Sequence, residues 1–182
     1  MNGKIFTRAF IALGLTAGLA ACHKSDQEKT WDKYEDWRVT NEAWFHEKEL
    51  SGDYTKVVPA WNTEQKILMR WLNDTTETSG NLIPLYSSTV TVKYKGWLYD
   101  GTPFDSSYLR TDSVVTFGPS TLMDGWIVAL EKMHVGDRVE LIVPYTAAYG
   151  STGYGSSVPP YSSLGFEVEL KDVPTYEIPE DD

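Results

Sequence analysis

Cysteine is almost absent. Cys22 is the single one among 182 residues, so no internal disulfide can form. Histidine is nearly as scarce: His23, His46 and His134 lie far apart, with no cysteine or carboxylate at ligand spacing around them. That scatter argues against a metal site. Basic residues are outnumbered, 16 Lys and Arg against 26 Asp and Glu, for a formal net charge of −10. Nucleic acid is gripped by lysine and arginine neutralising phosphates, so this balance excludes it as a partner. No serine sits in a Gly-x-Ser-x-Gly elbow, which removes the corresponding hydrolases. Gly150, Gly153 and Gly155 are followed by Pro159-Pro160 instead of a helix, so they lack the N-terminal dipole that a phosphate loop uses. There is no internal repeat and no low-complexity tract.

Long apolar runs are missing too. The longest extends from Ala9 to Ala21 behind Lys4 and Arg8. It falls short of the roughly 20 apolar residues that cross a bilayer, and has the shape of a secretory signal peptide. It closes on Leu19-Ala20-Ala21-Cys22, which resembles the lipobox of bacterial lipoproteins, where small residues precede an acylated cysteine. The alternative, a free or buried thiol, leaves that placement unexplained. Lipoprotein cysteines carry several acyl chains, and more than one chain is what stable anchoring needs. The resemblance implies a signal peptide over residues 1–21, lipidation at Cys22 and a lipid-anchored protein of the bacterial cell envelope. His23 differs from the aspartate that retains some lipoproteins at the inner membrane, so the outer membrane is favoured.

What the chain does have is aromatic side chains: 7 Trp, 11 Tyr and 6 Phe. One set is local. Residues 22–60 read as a polar tether, from His23 to about Thr30, followed by a helix. Trp31, Tyr34, Trp37, Trp44 and Phe45 share an arc of about 140° on its wheel, and Ser51-Gly52-Asp53 stops it. Such a stripe packs on the domain behind it, or else offers a docking face to a partner.

The second set is spread over residues 61–176. Val90, Val92 and Tyr94 alternate with Thr91, Lys93 and Lys95 as in a half-buried strand. Val139, Leu141 and Val143 do the same, as do Phe166, Val168 and Leu170. Asp100-Gly101 signals a turn. Trp126, Ala129, Leu130 and Met133 fall on one face of a short helix. The run from Lys66 to Leu72 fits a strand or, with Asn62 and Gln65 as a capping box, a helix. The pattern is an antiparallel sheet wrapped on one helix, an α+β arrangement, and residues 177–182 form an acidic tail. Tyr94, Phe104, Trp126, Tyr149 and Phe166 are too widely spaced to cluster locally. They fit a pocket assembled by the sheet and helix, with the single carboxylate of Asp105, and such a cup suits a proline ring better than reactive chemistry.

The order Tyr94-x-Gly96, Asp100-Gly101, Phe104-Asp105-Ser106-Ser107, Arg110, Gly125-Trp126, Met133-x-x-Gly136, Pro144, Ala148-Tyr149-Gly150, Pro159-Pro160 and Phe166-x-Val168-Glu169-Leu170 resembles an FKBP-type peptidyl-prolyl cis-trans isomerase. That resemblance implies a twisted antiparallel half-barrel sheet around one short helix, and it makes Lys66–Leu72 the opening strand. It implies catalysis without covalent steps or cofactor, on X-Pro segments of exported envelope proteins. Trp126 would be the floor under the proline, with Tyr94, Phe104, Tyr149 and Phe166 as walls. Val115, Leu122, Met123 and Val158 would complete the lining, and Tyr154 would contact substrate. The Met123 N–H and the Tyr149 hydroxyl would donate to substrate carbonyls, and Asp105 would sit at the rim, oriented by Arg110 and the Tyr94 hydroxyl. Ser113-Val114-Val115 stands where the family usually has two phenylalanines. Tyr154, Ser157 and Met123 stand where a histidine and two isoleucines are common. These departures imply weakened affinity for macrolide inhibitors. A second reading keeps the pocket without catalysis, as a module that grips proline-containing segments and uses the Trp-rich helix as a further contact.

Overall fold

The computed structural model describes residues 25–63, 65–118 and 121–176. The expected signal peptide, Cys22 and the 177–182 tail lie outside the described residues.

Two helices open the described chain. Ser25 caps α1 (Asp26–Lys33): its hydroxyl accepts the Glu28 N–H at 3.2 Å, and the Glu28 carboxylate accepts the Ser25 N–H at 2.7 Å. This capping box satisfies two donors that a helix start leaves open. The expected tether is therefore helical from Asp26 onward. α1 buries no residue, so it has no apolar period by which a sequence reading finds a helix. Tyr34 breaks the path, and α2 (Glu35–Leu50) follows.

α2 is fastened to the domain. Phe45 is buried against Leu68 and Ile142, with Trp44 and Tyr54 beside them. Asn41, fully buried, donates to the Trp37 carbonyl and accepts the Ser163 N–H, each at 2.8 Å. The Trp37 indole donates to Ser162 Oγ at 3.1 Å, and its ring meets Tyr99 edge-on at 5.1 Å. Trp31 meets Tyr161 in the same way at 5.3 Å. The aromatic stripe packs on its own domain.

The seven strands are β1 (Thr55–Val57), β2 (Ile67–Trp71), β3 (Thr89–Leu98), β4 (Pro103–Ser106), β5 (Val115–Phe117), β6 (Arg138–Val143) and β7 (Leu164–Thr175). They form one antiparallel sheet in the order β1-β2-β6-β7-β3-β4, with β5 pairing the start of β3 beside β4. β2 resolves the ambiguous run as a strand. Ile67 and Met69 face the main core while Leu68 faces α2, so both faces are apolar and the alternation is lost. The sheet also reaches upstream of residue 61, through β1.

α3 (Asp124–Leu130) packs on the face of the sheet opposite α2, burying Trp126, Val128, Ala129 and Leu130 against Val92, Tyr94, Val139, Leu141, Phe166 and Val168. Gly125 permits the close approach. A Cβ there would stand 2.4 Å from Val143 Cγ1, inside any real contact. Met133 is fully buried just beyond the helix. The turn into β6 is tied by Asp137, which has no exposure and accepts from Thr78 Oγ1 at 2.5 Å, the His134 N–H at 2.8 Å and Asn73 Nδ2 at 3.1 Å. On the α2 side, Arg70 pairs with Glu140 across β2 and β6, and Glu167 takes both Arg138 and Lys95 across β6, β7 and β3.

Candidate functional site

The strand–helix packing places four aromatic rings edge to face. Tyr94 on β3 meets Trp126 on α3 at 5.2 Å, Phe117 on β5 meets Trp126 at 5.8 Å, and Phe166 on β7 backs Trp126 at 5.4 Å. Such edge contacts are preferred by ring quadrupoles and fix the indole in place. Above Trp126 opens a cavity of about 360 Å³. It is lined by Tyr94, Asp105, Phe117, Thr121, Leu122, Met123, Trp126, Ala148, Tyr149 and Tyr154. Trp126 is 4% exposed, and its indole N–H has no hydrogen-bond partner among the described residues.

Asp105 is the one charged group in this lining. Its Oδ2 accepts the Tyr94 hydroxyl at 2.7 Å and its Oδ1 accepts the Ser106 N–H at 2.8 Å. Burial pushes the Tyr94 phenol far above its ordinary range, and the hydrogen bond to Asp105 pushes it further, so Tyr94 remains a donor. Tyr149 is also raised, first by burial and then by Tyr154 and Asp105. Its hydroxyl makes no hydrogen bond to a described residue. Neither does the Met123 N–H at the start of α3, whose carbonyl accepts from Trp126 and Ile127. Among the described residues nothing accepts a hydrogen bond from either donor. Among the described residues no group of three histidine, cysteine or carboxylate side chains could hold a metal ion.

Most of the expected residues converge. Tyr94, Asp105, Leu122, Met123, Trp126, Tyr149 and Tyr154 all line the cavity. Phe104, Phe166, Val115 and Val158 belong to the packing around it instead. Phe104 leans edge-on against Phe166 at 5.6 Å, and Val158 is 2% exposed. Val115 sits opposite Val92 across the sheet, one step inward of the lining. Asp105 is held by the Tyr94 hydroxyl and the Ser106 N–H. The exposed Arg110 side chain makes no ion pair with it, although its charge acts on the neighbouring Tyr94 phenol.

Phe117 is the residue that sequence reasoning missed. It lines the cavity against Trp126, the wall role expected of Val115. The signal was present in Val115-Thr116-Phe117, whose alternation puts both apolar residues on one face. Thr121 and Ala148 carried no signal of their own.

Comparisons with known proteins agree with this geometry. Residues 83–171 match the model of the family described as FKBP-type peptidyl-prolyl cis-trans isomerase. Over 92 residues the chain is 48% identical to a macrophage infectivity potentiator of Trypanosoma cruzi, covering 50% of this chain and 46% of that protein. It is 42% identical over 82 residues to an FK506-binding protein of Neisseria meningitidis serogroup C, covering 44% of this chain and 75% of that one. The chain thus spans about half the length of the longer relative and most of the shorter. Among solved structures, FkpA from Escherichia coli superposes with a TM-score of 0.66 at 27% identity, over 81% of this chain and 63% of that one. Motif order, sheet topology and an aromatic cavity over a buried tryptophan all lead to one conclusion: the chain belongs to the FKBP-type peptidyl-prolyl cis-trans isomerase family.

Proposed function

We propose that this protein is a peptidyl-prolyl cis-trans isomerase that acts on X-Pro segments of exported envelope proteins while anchored to the membrane through an acylated Cys22. The observation that carries the activity is the aromatic-walled cavity over Trp126, closed at its base and holding one carboxylate that is already hydrogen-bonded. An X-Pro bond turns slowly because partial double-bond character sets a barrier of roughly 18–20 kcal/mol. Turning it needs no nucleophile, acid or metal. The planar amide is stabilised by charge separation, which exclusion of water by the aromatic rings disfavours, so the twisted form costs less there. Donors that suit the twisted amide better than either planar form add to the effect. In this reading the Met123 N–H and the Tyr149 hydroxyl hold the substrate carbonyls, and Trp126 carries the ring.

The anchor rests on the Leu19-Ala20-Ala21-Cys22 block, and the outer membrane on His23 at the next position. The same cavity would take a macrolide of the kind named in the Neisseria relative, with lowered affinity because Tyr154 and Met123 change its rim. The test is isomerisation of short X-Pro peptides by protein beginning at His23. Acceleration proportional to enzyme concentration supports the reading. Saturable binding with no acceleration would replace the enzyme by a module that grips proline segments.

A further inference from the structure

Tyr161 sits at φ +62°, a left-handed conformation. A bulky side chain adopts it only where the surroundings hold it there. Those surroundings are aromatic. The Tyr161 ring is 3% exposed and meets Trp31 edge-on at 5.3 Å, Tyr34 at 6.5 Å and Tyr145 edge-on at 5.5 Å. Its hydroxyl has no hydrogen-bond partner among the described residues, so ring contacts hold the side chain. Trp31 is fixed in turn by Arg38, whose guanidinium lies 3.7 Å from the centre of the indole and pairs with Glu42 at 3.3 Å.

The backbone of Tyr161 passes this constraint on. Its N–H donates to the Gly150 carbonyl at 2.8 Å, and the Gly150 N–H donates to the Tyr145 carbonyl at 2.9 Å. Gly150 follows Tyr149, which lines the cavity and whose hydroxyl has no acceptor of its own among the described residues. A chain of direct contacts thus runs from α1 to a donor at the cavity. Trp31 and Tyr34 lie outside residues 83–171, so the contact comes from beyond the span that matches the family. We propose that Trp31 is a positioning residue for the isomerase: through Tyr161 and Gly150 it holds the Tyr149 hydroxyl in place, which makes α1 a working part of the catalytic unit although it buries no residue. This inference rests on the cavity being the proline site.

The test is a double-mutant cycle of Trp31→Ala and Tyr149→Phe, with kcat/KM and calorimetric affinity both measured on one X-Pro peptide at equal folded fraction. Trp31 is 41% exposed, so its loss leaves the core packed. Trp31→Ala is expected to lower kcat/KM about two- to tenfold, the range of one aromatic pair, and Trp31→Phe to restore most of it. In the Tyr149→Phe background, Trp31→Ala should have no further effect, because the group it positions is gone. A Trp31→Ala loss that persists in full beside Tyr149→Phe, or a Trp31→Ala variant as active as the wild type, overturns the proposal. Peptide binding without isomerisation would overturn the catalytic reading instead. The cycle read in affinity would then decide this one, non-additive losses upholding it and additive losses overturning it.

Discussion

Asp105 has both oxygens occupied within its own chain, one by Tyr94 and one by the next backbone N–H. A carboxylate held in this way is a fixed charge at the cavity rim, unsuited to act as a travelling base. Replacing it by leucine should leave the core intact, since Asp105 is exposed. We expect Asp105→Leu and Tyr149→Phe each to lower kcat/KM on X-Pro peptides about tenfold, equivalent to about 1.4 kcal/mol of transition-state stabilisation. Turnover equal to wild type at equal folded fraction would show that neither group touches the twisted amide. Asp137 plays a different part. Burial raises its carboxyl, but hydrogen bonds from Thr78, the His134 N–H and Asn73 outweigh burial and leave it below its ordinary value. A depressed folded-state pKa gives stability that is present above the unfolded value, about 3.9, and is lost as pH falls through the folded value. Asp137→Asn should therefore lower Tm at neutral pH and reduce its loss on acidification, so the two Tm-against-pH curves approach each other as pH falls below the unfolded value. Curves that stay parallel over the whole acid range would remove Asp137 from the acid response.

At the level of elements, β3 and β7 were legible in the sequence because more and less buried residues alternate along them, and β6 and α3 because their core residues recur at strand and helix spacing. β2 was not, because α2 covers its second face and erases the alternation. β1 has three residues and no apolar alternation, and β5 is only three residues long, so its alternation is brief. Both are held by pairing with a longer strand, and attention to Val115 alone left Phe117 out of the expected wall. The floor and rim were legible because each occurs inside a short ordered motif. Of the two partners expected for Asp105, the Tyr94 hydroxyl is in hydrogen-bond contact, while Arg110 makes no ion pair with it. α2 is the element whose removal is most informative. Asn41→Ala would leave the Ser163 N–H and the Trp37 carbonyl without their side-chain partner, at a cost of about 2 kcal/mol, and should lower Tm measurably. Removing residues 25–50 should lower it further by uncovering Leu68 and Ile142. An unchanged melting curve for the shortened protein would show that α2 rides on the domain without supporting it.

The whole molecule joins an acidic domain to a proposed lipid. With a net charge of −10 it has no electrostatic attraction to anionic headgroups, so the proposed membrane residence would have to come from acylation. Metabolic labelling with a fatty acid should mark the wild type and not Cys22→Ala, which should accumulate as the uncleaved precursor. Label persisting on Cys22→Ala would remove the anchor. Rigid structure begins early, since the capping box starts α1 at Ser25. An acyl chain on Cys22 would then lie within about 10 Å of Ser25, the reach of three peptide steps. Anchored that closely, the catalyst would patrol a thin shell at the bilayer surface, with the depth of the compartment beyond its reach. Its clientele would be chosen by where chains emerge from the membrane as much as by the prolines they carry.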